Sequence, residues 1–133
     1  MKYFDLHCDT VTSICDGSKN PAVTAEKAED FEKYSQLFAI WLRDGYSPSK
    51  AAEKAEAYYK YYKSFFKNFE SENKKPFLSL ENAICFGDDL KNVGLWGERV
   101  VKSVTLTWNG ENALGRGADF KSGGLTDFGR DVF

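Results

Sequence analysis

Apolar and polar positions follow two different periods along this chain, and each period predicts a type of element. The opening stretch KYFDLHCDT alternates, which predicts a strand. Residues 34–42 form a nearly continuous apolar run, which is typical of a strand buried on both faces of a parallel sheet. One face of the first strand would carry Tyr3, Asp5, His7 and Asp9. Because the last three are polar, this face would point to solvent or into a functional cavity.

A long amphipathic helix is predicted to follow Ser47. Ser47 is a favoured N-cap residue, and Pro48 suits the first helical position. Between residues 51 and 69 the apolar positions are spaced by three and four, which makes one stripe of alanines and aromatic residues. Lys and Glu fill the other face, with Glu56 and Lys60 spaced for an ion pair. We expect the aromatic stripe to pack in the core rather than to hold a ligand.

The remaining pattern continues the alternation of strands and helices. Strands are predicted over 77–81 and 99–108, with a short, glycine-interrupted helix over 88–98 between them. A long glycine-rich loop over 109–124 follows, and an amphipathic helix begins at Thr126. This order predicts an α/β fold built of parallel (β/α) units.

The length of 133 residues fits one domain, which we assign to residues 1–133. About four strands are present, whereas a closed (β/α)8 barrel typically needs about 250 residues. The final apolar helix residues, Phe128, Val132 and Phe133, would need a partner surface. Two interpretations remain, a small open α/β domain or the first half of a TIM (β/α)8 barrel that ends after its fourth strand, and the motifs below favour the half-barrel.

Composition and charge exclude several classes of partner. A net charge of -2 and a pI near 5.5 argue against binding to nucleic acid or to an anionic membrane. No apolar stretch approaches the roughly 18 residues of a membrane span. The start of the chain lacks the pattern of a signal peptide, and the three cysteines form no CxxC pair. We therefore expect a cytoplasmic protein with reduced thiols.

The strongest candidate for chemistry is His7, which is the single histidine of the chain, with Asp9 two positions later. Neutral imidazole and carboxylate both suit Zn²⁺, and the two side chains would share one strand face. The alternative is an ordinary hydrogen-bonded surface pair. A place at the carboxyl end of a first barrel strand favours the metal site, because barrels of this kind keep their chemistry at that face.

Two later positions are further candidates. Glu81 ends an apolar strand. It is either a loop or helix-cap acid or a carboxylate that bridges two metal ions roughly 3.5–4 Å apart. Trp108 ends another predicted strand, and Asn109 opens the glycine-rich loop. The two residues are either parts of an ordinary loop or substrate-binding walls of a pocket.

Four motifs together resemble a known family. DLHCDT, LSLENA, VTLTWNGENALGRGA and GGLTDFGRDV are similar, in order and spacing, to motifs of the membrane (renal) dipeptidases of peptidase family M19. The resemblance runs from residue 3 to the end of the chain and corresponds to the amino-terminal part of such an enzyme.

The resemblance implies a (β/α)8 barrel with a two-zinc site that hydrolyses dipeptides through a hydroxide shared by the metals. It implies that His7 and Asp9 hold one metal and that Glu81 bridges both. Trp108 falls where some members carry a substrate-binding histidine, which is a departure from the family pattern. Asp5 would at most support the site by orienting His7.

The resemblance also implies metal ligands that this chain does not have. The family takes two further histidines from later strands, and no second histidine occurs here. We therefore expect at most a partial zinc site, and we assign no catalytic residue. The alternative is a non-catalytic half-barrel that acts as a binding or assembly module, associating with itself or with another half through its open sheet edge.

Overall fold

The computed structural model describes residues 1–132, and Phe133 of the predicted terminal helix lies outside the described residues. The centre of the molecule is a four-stranded parallel sheet whose strand order follows the chain. Its strands are β1 Lys2–Asp5, β2 Lys33–Trp41, β3 Lys74–Glu81 and β4 Val101–Thr105. The predicted α/β fold of parallel (β/α) units is confirmed.

The sheet is covered on one side by helices, and strand alternation separates its two faces. Phe38 of β2 contacts Phe66 and Phe69 of the long helix, with ring centroids 4.6 and 5.3 Å away, so its face is the helix side. Leu37 and Phe77 are register partners on the opposite face, which we call the inner face. The prediction that the 34–42 run is buried on both sides is confirmed, because Leu37 and Phe38 are both buried.

The long helix, α2 Pro48–Phe69, begins where the sequence predicts. The Ser47 hydroxyl accepts a hydrogen bond from the backbone N–H of Lys50, which satisfies one of the unpaired donors of the first turn. The aromatic stripe packs in the core as expected. The predicted ion pair of Glu56 with Lys60 is wrong, because Glu56 instead binds Arg99, 2.6 Å away.

The segment between β1 and β2 contains one helix that the sequence pattern did not predict. This helix, α1 Thr10–Cys15, lies in the segment that the turn residues Gly17, Ser18, Asn20 and Pro21 predict to be an irregular loop. Its first three residues are buried, so tertiary packing stabilises a helix too short to be stable alone. The sequence of residues 25–34 is compatible with a short helix or a polar excursion, and the structure has turns over 25–30 before β2 begins at Lys33.

The second half of the described chain follows the predicted order with shorter elements. A 3-10 turn spans Ala83–Phe86, and α3 Leu90–Glu98 leads into β4. The glycine-rich loop contains a small antiparallel hairpin, β5 Glu111–Asn112 and β6 Gly115–Arg116, before α4 Asp127–Asp131. Within residues 1–132, no helix has the length and hydropathy needed to cross a bilayer.

Candidate metal centre

The first strand ends earlier than predicted, and this moves His7 and Asp9 off the strand. β1 stops at Asp5, whose carboxylate accepts a hydrogen bond from the backbone N–H of His7 at 3.2 Å. This is the geometry of an Asx turn, in which a side chain bonds the backbone two residues on. Asp5 does support His7, but by holding the backbone of the loop rather than by touching the imidazole.

The turn changes which side chains reach the site. Tyr3 stacks on Tyr34, which contacts Phe69 of α2, so odd-numbered positions of β1 face the helix side. A continued strand would direct His7 and Asp9 to that side as well. Because the strand ends at Asp5, Cys8 is instead buried in the core. The Cys8 carbonyl accepts a hydrogen bond from the backbone N–H of Ala39.

Asp9 occupies the N-cap position of α1 but does not cap it with its side chain. Its carboxylate lies 3.3 Å from Nε2 of His7 instead. The backbone carbonyl of Asp9 accepts from the N–H of Ser13 and from the Thr12 hydroxyl. The first turn of the helix therefore positions the Asp9 backbone and leaves the carboxylate available to a ligand.

Glu81 is the last residue of β3 and faces the same place from the neighbouring part of the sheet. Its carboxylate lies 3.5 Å from Nε2 of His7, and its register partner is Trp41 at the end of β2. Burial raises the pKa of Glu81, as does the nearby Asp9 carboxylate, while His7 opposes this rise. Ionising Glu81 in this position costs free energy, and a bound cation would lower that cost by stabilising the carboxylate.

The structure thus brings His7, Asp9 and Glu81 together from separate parts of the chain. One potential ligand atom from each lies within 4.8 Å of the other two. One imidazole and two carboxylates are a donor set that suits Zn²⁺. His7 and Asp9 are about half exposed and Glu81 only 21% exposed, so the cluster opens to solvent on one side.

The cluster lies in a cleft of about 410 Å³ with an aromatic wall. Trp41 and Trp108 meet edge to face with ring centroids 5.2 Å apart. The structure places Trp108 three residues beyond the end of β4, so the prediction that it ends a strand is wrong. Trp108 lines the cleft, and its substrate-binding role stays a prediction. The other lining residues are His7, Asp9, Thr12, Ser13, Asp16 and Glu81.

Asn109 has a different environment from Trp108. It is half-buried and is not among the described residues that line the cleft. Its backbone carbonyl accepts from the N–H of Asp119, which closes the loop upon itself. A substrate-binding role for Asn109 stays a prediction.

Sequence reasoning missed several residues of this region. Trp41 lies near the end of an apolar run that we assigned wholly to the core, and its place two positions before RDG was the available signal. Asn82 stands inside the LSLENA motif but had no assigned role, and its side chain is buried in a hydrogen-bond network. Ser13 and Asp16 reach the cleft through α1, which the sequence pattern did not predict.

Comparison with solved structures gives the same fold. One similar structure is dipeptidase AC, a metallopeptidase of family M19, with a TM-score of 0.81 at 16% identity over 99% of this chain and 52% of that chain. Another is a metallopeptidase from Rhodobacter sphaeroides liganded with a phosphinate mimic of the dipeptide L-Ala-D-Ala, with a TM-score of 0.74, 14% identity, and coverage of 99% and 54%.

The chain spans about half the length of these two structures. No family model matches the sequence, and no curated protein is similar enough to match it. The similarity in structure confirms that the four parallel strands and their helices form a partial α/β barrel of the kind found in M19 metallopeptidases, which is the fold that the four motifs indicated.

Proposed function

We propose that this chain is the metal-binding amino-terminal portion of a zinc-dependent dipeptidase. The observation that carries the proposal is the convergence of His7, Asp9 and Glu81 at the carboxyl ends of parallel strands, within 4.8 Å of one another. This is the face at which barrel enzymes keep their chemistry. The two similar structures, both metallopeptidases and one of them of family M19, support the reaction class.

Each residue would have a distinct role. Zn²⁺ held by His7, Asp9 and Glu81 would supply Lewis acidity to a peptide carbonyl and lower the pKa of a nearby water. The aromatic wall of Trp41 and Trp108 would bind the apolar part of a dipeptide and exclude water from one side of the cleft. Further histidine ligands would have to come from outside these 133 residues, because His7 is the single histidine here.

Zinc titration of this chain by calorimetry tests the proposal. Wild type should bind one Zn²⁺, and Glu81→Gln should lose more affinity than the roughly 10–100-fold that removal of an outer partner costs. Asp16→Asn is a matched control, because Asp16 lines the same cleft outside the cluster. Full zinc affinity in Glu81→Gln would refute the assignment. A longer chain that contains the remaining ligands should hydrolyse dipeptides, with L-Ala-D-Ala as the first probe.

The second candidate is a non-catalytic half-barrel that acts as an assembly module. The observation in its favour is the exposure of large apolar side chains at the first edge strand, with Phe4 56% and Leu6 69% exposed. Such a module would associate through the open edges of its sheet. It predicts a concentration-dependent mass by light scattering, without dipeptide hydrolysis by any longer form of the chain. A cytoplasmic location stays a prediction under either candidate.

A further inference from the structure

The residue directly after Glu81 is held in an unusual way. Asn82 has a backbone φ of 66°, a conformation that asparagine and glycine tolerate better than other residues, and its side chain is 1% exposed. Its Nδ2 donates to the Leu42 carbonyl and to Asp44, both at 2.8 Å. Its Oδ1 accepts from Nδ2 of Asn112 at 2.9 Å. All of its polar atoms therefore have partners.

These partners come from the segments that follow two other strands. Leu42 and Asp44 follow β2, and Asn112 lies in the hairpin after β4, where its Nδ2 also donates to the Leu106 carbonyl at 2.8 Å. The backbone adds two bonds beside them, from Leu42 N–H to the Glu81 carbonyl and from Ala83 N–H to the Leu106 carbonyl. The network of Asp44, Asn82 and Asn112 thus ties β3 to its neighbours at the point where Glu81 leaves the sheet.

The same network reaches the aromatic wall. The second oxygen of Asp44 accepts from the backbone N–H of Gly110 at 2.8 Å, two residues beyond Trp108. A Cβ at Gly110 would approach the Asp44 carboxyl carbon to 3.0 Å, so the two groups are in close contact. The buried Asn82 side chain, next in sequence to Glu81, is therefore linked through Asp44 to the backbone beside Trp108.

We propose that Asn82 is a positioning residue that holds the Glu81 carboxylate toward His7 and Asp9 by bonding the loops after β2 and β4. The inference rests on the proposed metal site, and it adds a residue that contacts neither metal nor substrate. The backbone at Glu81 sets the direction in which its side chain leaves the strand, so bonds that fix this backbone limit the positions that the carboxylate can reach. Outer partners of this kind commonly change metal affinity by about 10–100-fold.

The test measures zinc affinity in the full chain by calorimetry. Asn82→Gly keeps a residue that accepts positive φ and removes all three side-chain bonds, so its Kd for Zn²⁺ should rise about 10–100-fold. The matched control is Asn92→Ala, because Asn92 also bonds a backbone carbonyl, that of Phe86, but lies away from Glu81. Asn92→Ala should keep the wild-type Kd even where it lowers the melting temperature.

An exchange of side chains separates positioning from general stability. Asn82→Asp alone would place a carboxylate against Asp44 and should weaken zinc binding. Adding Asp44→Asn returns a donor and an acceptor to this contact but leaves the Leu42 carbonyl without its donor, so the pair should recover part of the affinity. This pair also carries the test if Asn82→Gly does not fold, as judged by circular dichroism.

The outcomes distinguish this inference from the proposed function. Wild-type zinc affinity in folded Asn82→Gly, together with a loss in Glu81→Gln, would overturn the positioning role and leave the metal site standing. Failure of the exchange pair to recover affinity while folded would also overturn it. Absence of zinc binding by wild type would overturn both proposals.

Discussion

Single residues decide how the opening motif presents its chemistry. The carboxylate of Asp5 ends β1 by bonding the His7 backbone, and this turn releases His7 and Asp9 from strand alternation. Asp9 then faces His7 rather than capping α1. The three acids near this imidazole therefore have two roles: Asp5 shapes the loop, whereas Asp9 and Glu81 face the candidate metal position.

At this scale the Glu81 carboxylate should destabilise the metal-free protein at neutral pH. Burial raises its pKa above the unfolded value, so the folded state loses stability as pH rises through the raised pKa. Glu81→Gln removes this loss of stability and should raise the Tm of the chain in EDTA by about 1–4 °C at pH 7. For a domain of this size, that shift corresponds to about a fraction of 1 kcal/mol of unfolding free energy. Calorimetric melts at pH 4 and pH 7 provide the check. The gain should vanish at pH 4, and an equal gain at both pH values would contradict this explanation.

Among the elements, the loop after β4 depends on one close backbone contact. Gly117 packs against the carbonyl oxygen of Trp108, where a Cβ would overlap that oxygen. Gly117 N–H also donates to the Gly110 carbonyl, and Ala118 N–H donates to the Trp108 carbonyl at 3.1 Å. The glycine spacing of the motif WNGENALGRGA therefore serves to fold the loop upon itself, which fixes the backbone of the cleft wall.

Gly117→Ala should force this loop open and cost about 1–3 kcal/mol of unfolding free energy, as overpacking usually does. Urea unfolding followed by tryptophan fluorescence measures the change. Gly124→Ala is the matched control, since a Cβ there would meet nothing within 4 Å, and it should change stability by less than about 0.5 kcal/mol. Equal losses in the two variants would show that the Trp108 contact has no special importance.

For the whole molecule, the principal feature is a sheet covered by helices on one face and partly bare on the other. Phe4 and Phe77 touch on the inner face, with ring centroids 6.2 Å apart, and both line an open groove with Leu6. β1 and β4 are the edge strands of the sheet within residues 1–132. Apolar surface and unpaired strand edges favour association.

We accordingly expect this chain to self-associate at high concentration when studied alone. Leu6→Lys places a charge on the inner face and should shift the sedimentation distribution toward monomer. Leu90→Lys is the control, because Leu90 is 52% exposed on α3, away from the groove. A wild-type chain that stays monomeric at every concentration would refute this expectation and, with it, the form of the assembly-module candidate that associates with itself.

Much of the fold was predictable because local signals agreed with the final packing. The cap at Ser47, the stripe of α2 and the apolar run of β2 each need only neighbours in sequence to be recognised. The helix α1 was not predictable in this way, because six residues make fewer than two turns and are too few to show a helical repeat. Its buried face is set by contacts with β2 and α2. The same reason hid Asn82, whose partners lie 30 to 40 residues away.

The sequence by itself determined the chemistry that is available: one histidine, two acids with the right spacing or strand position, and four motifs in the order of a metallopeptidase family. Only the tertiary structure decided that His7, Asp9 and Glu81 meet within 4.8 Å and that Trp41 completes the wall beside them. The reason is physical. Parallel strands bring their carboxyl ends to one edge, but the turn at Asp5 and the buried bonds of Asn82 determine which side chains point into the space between them.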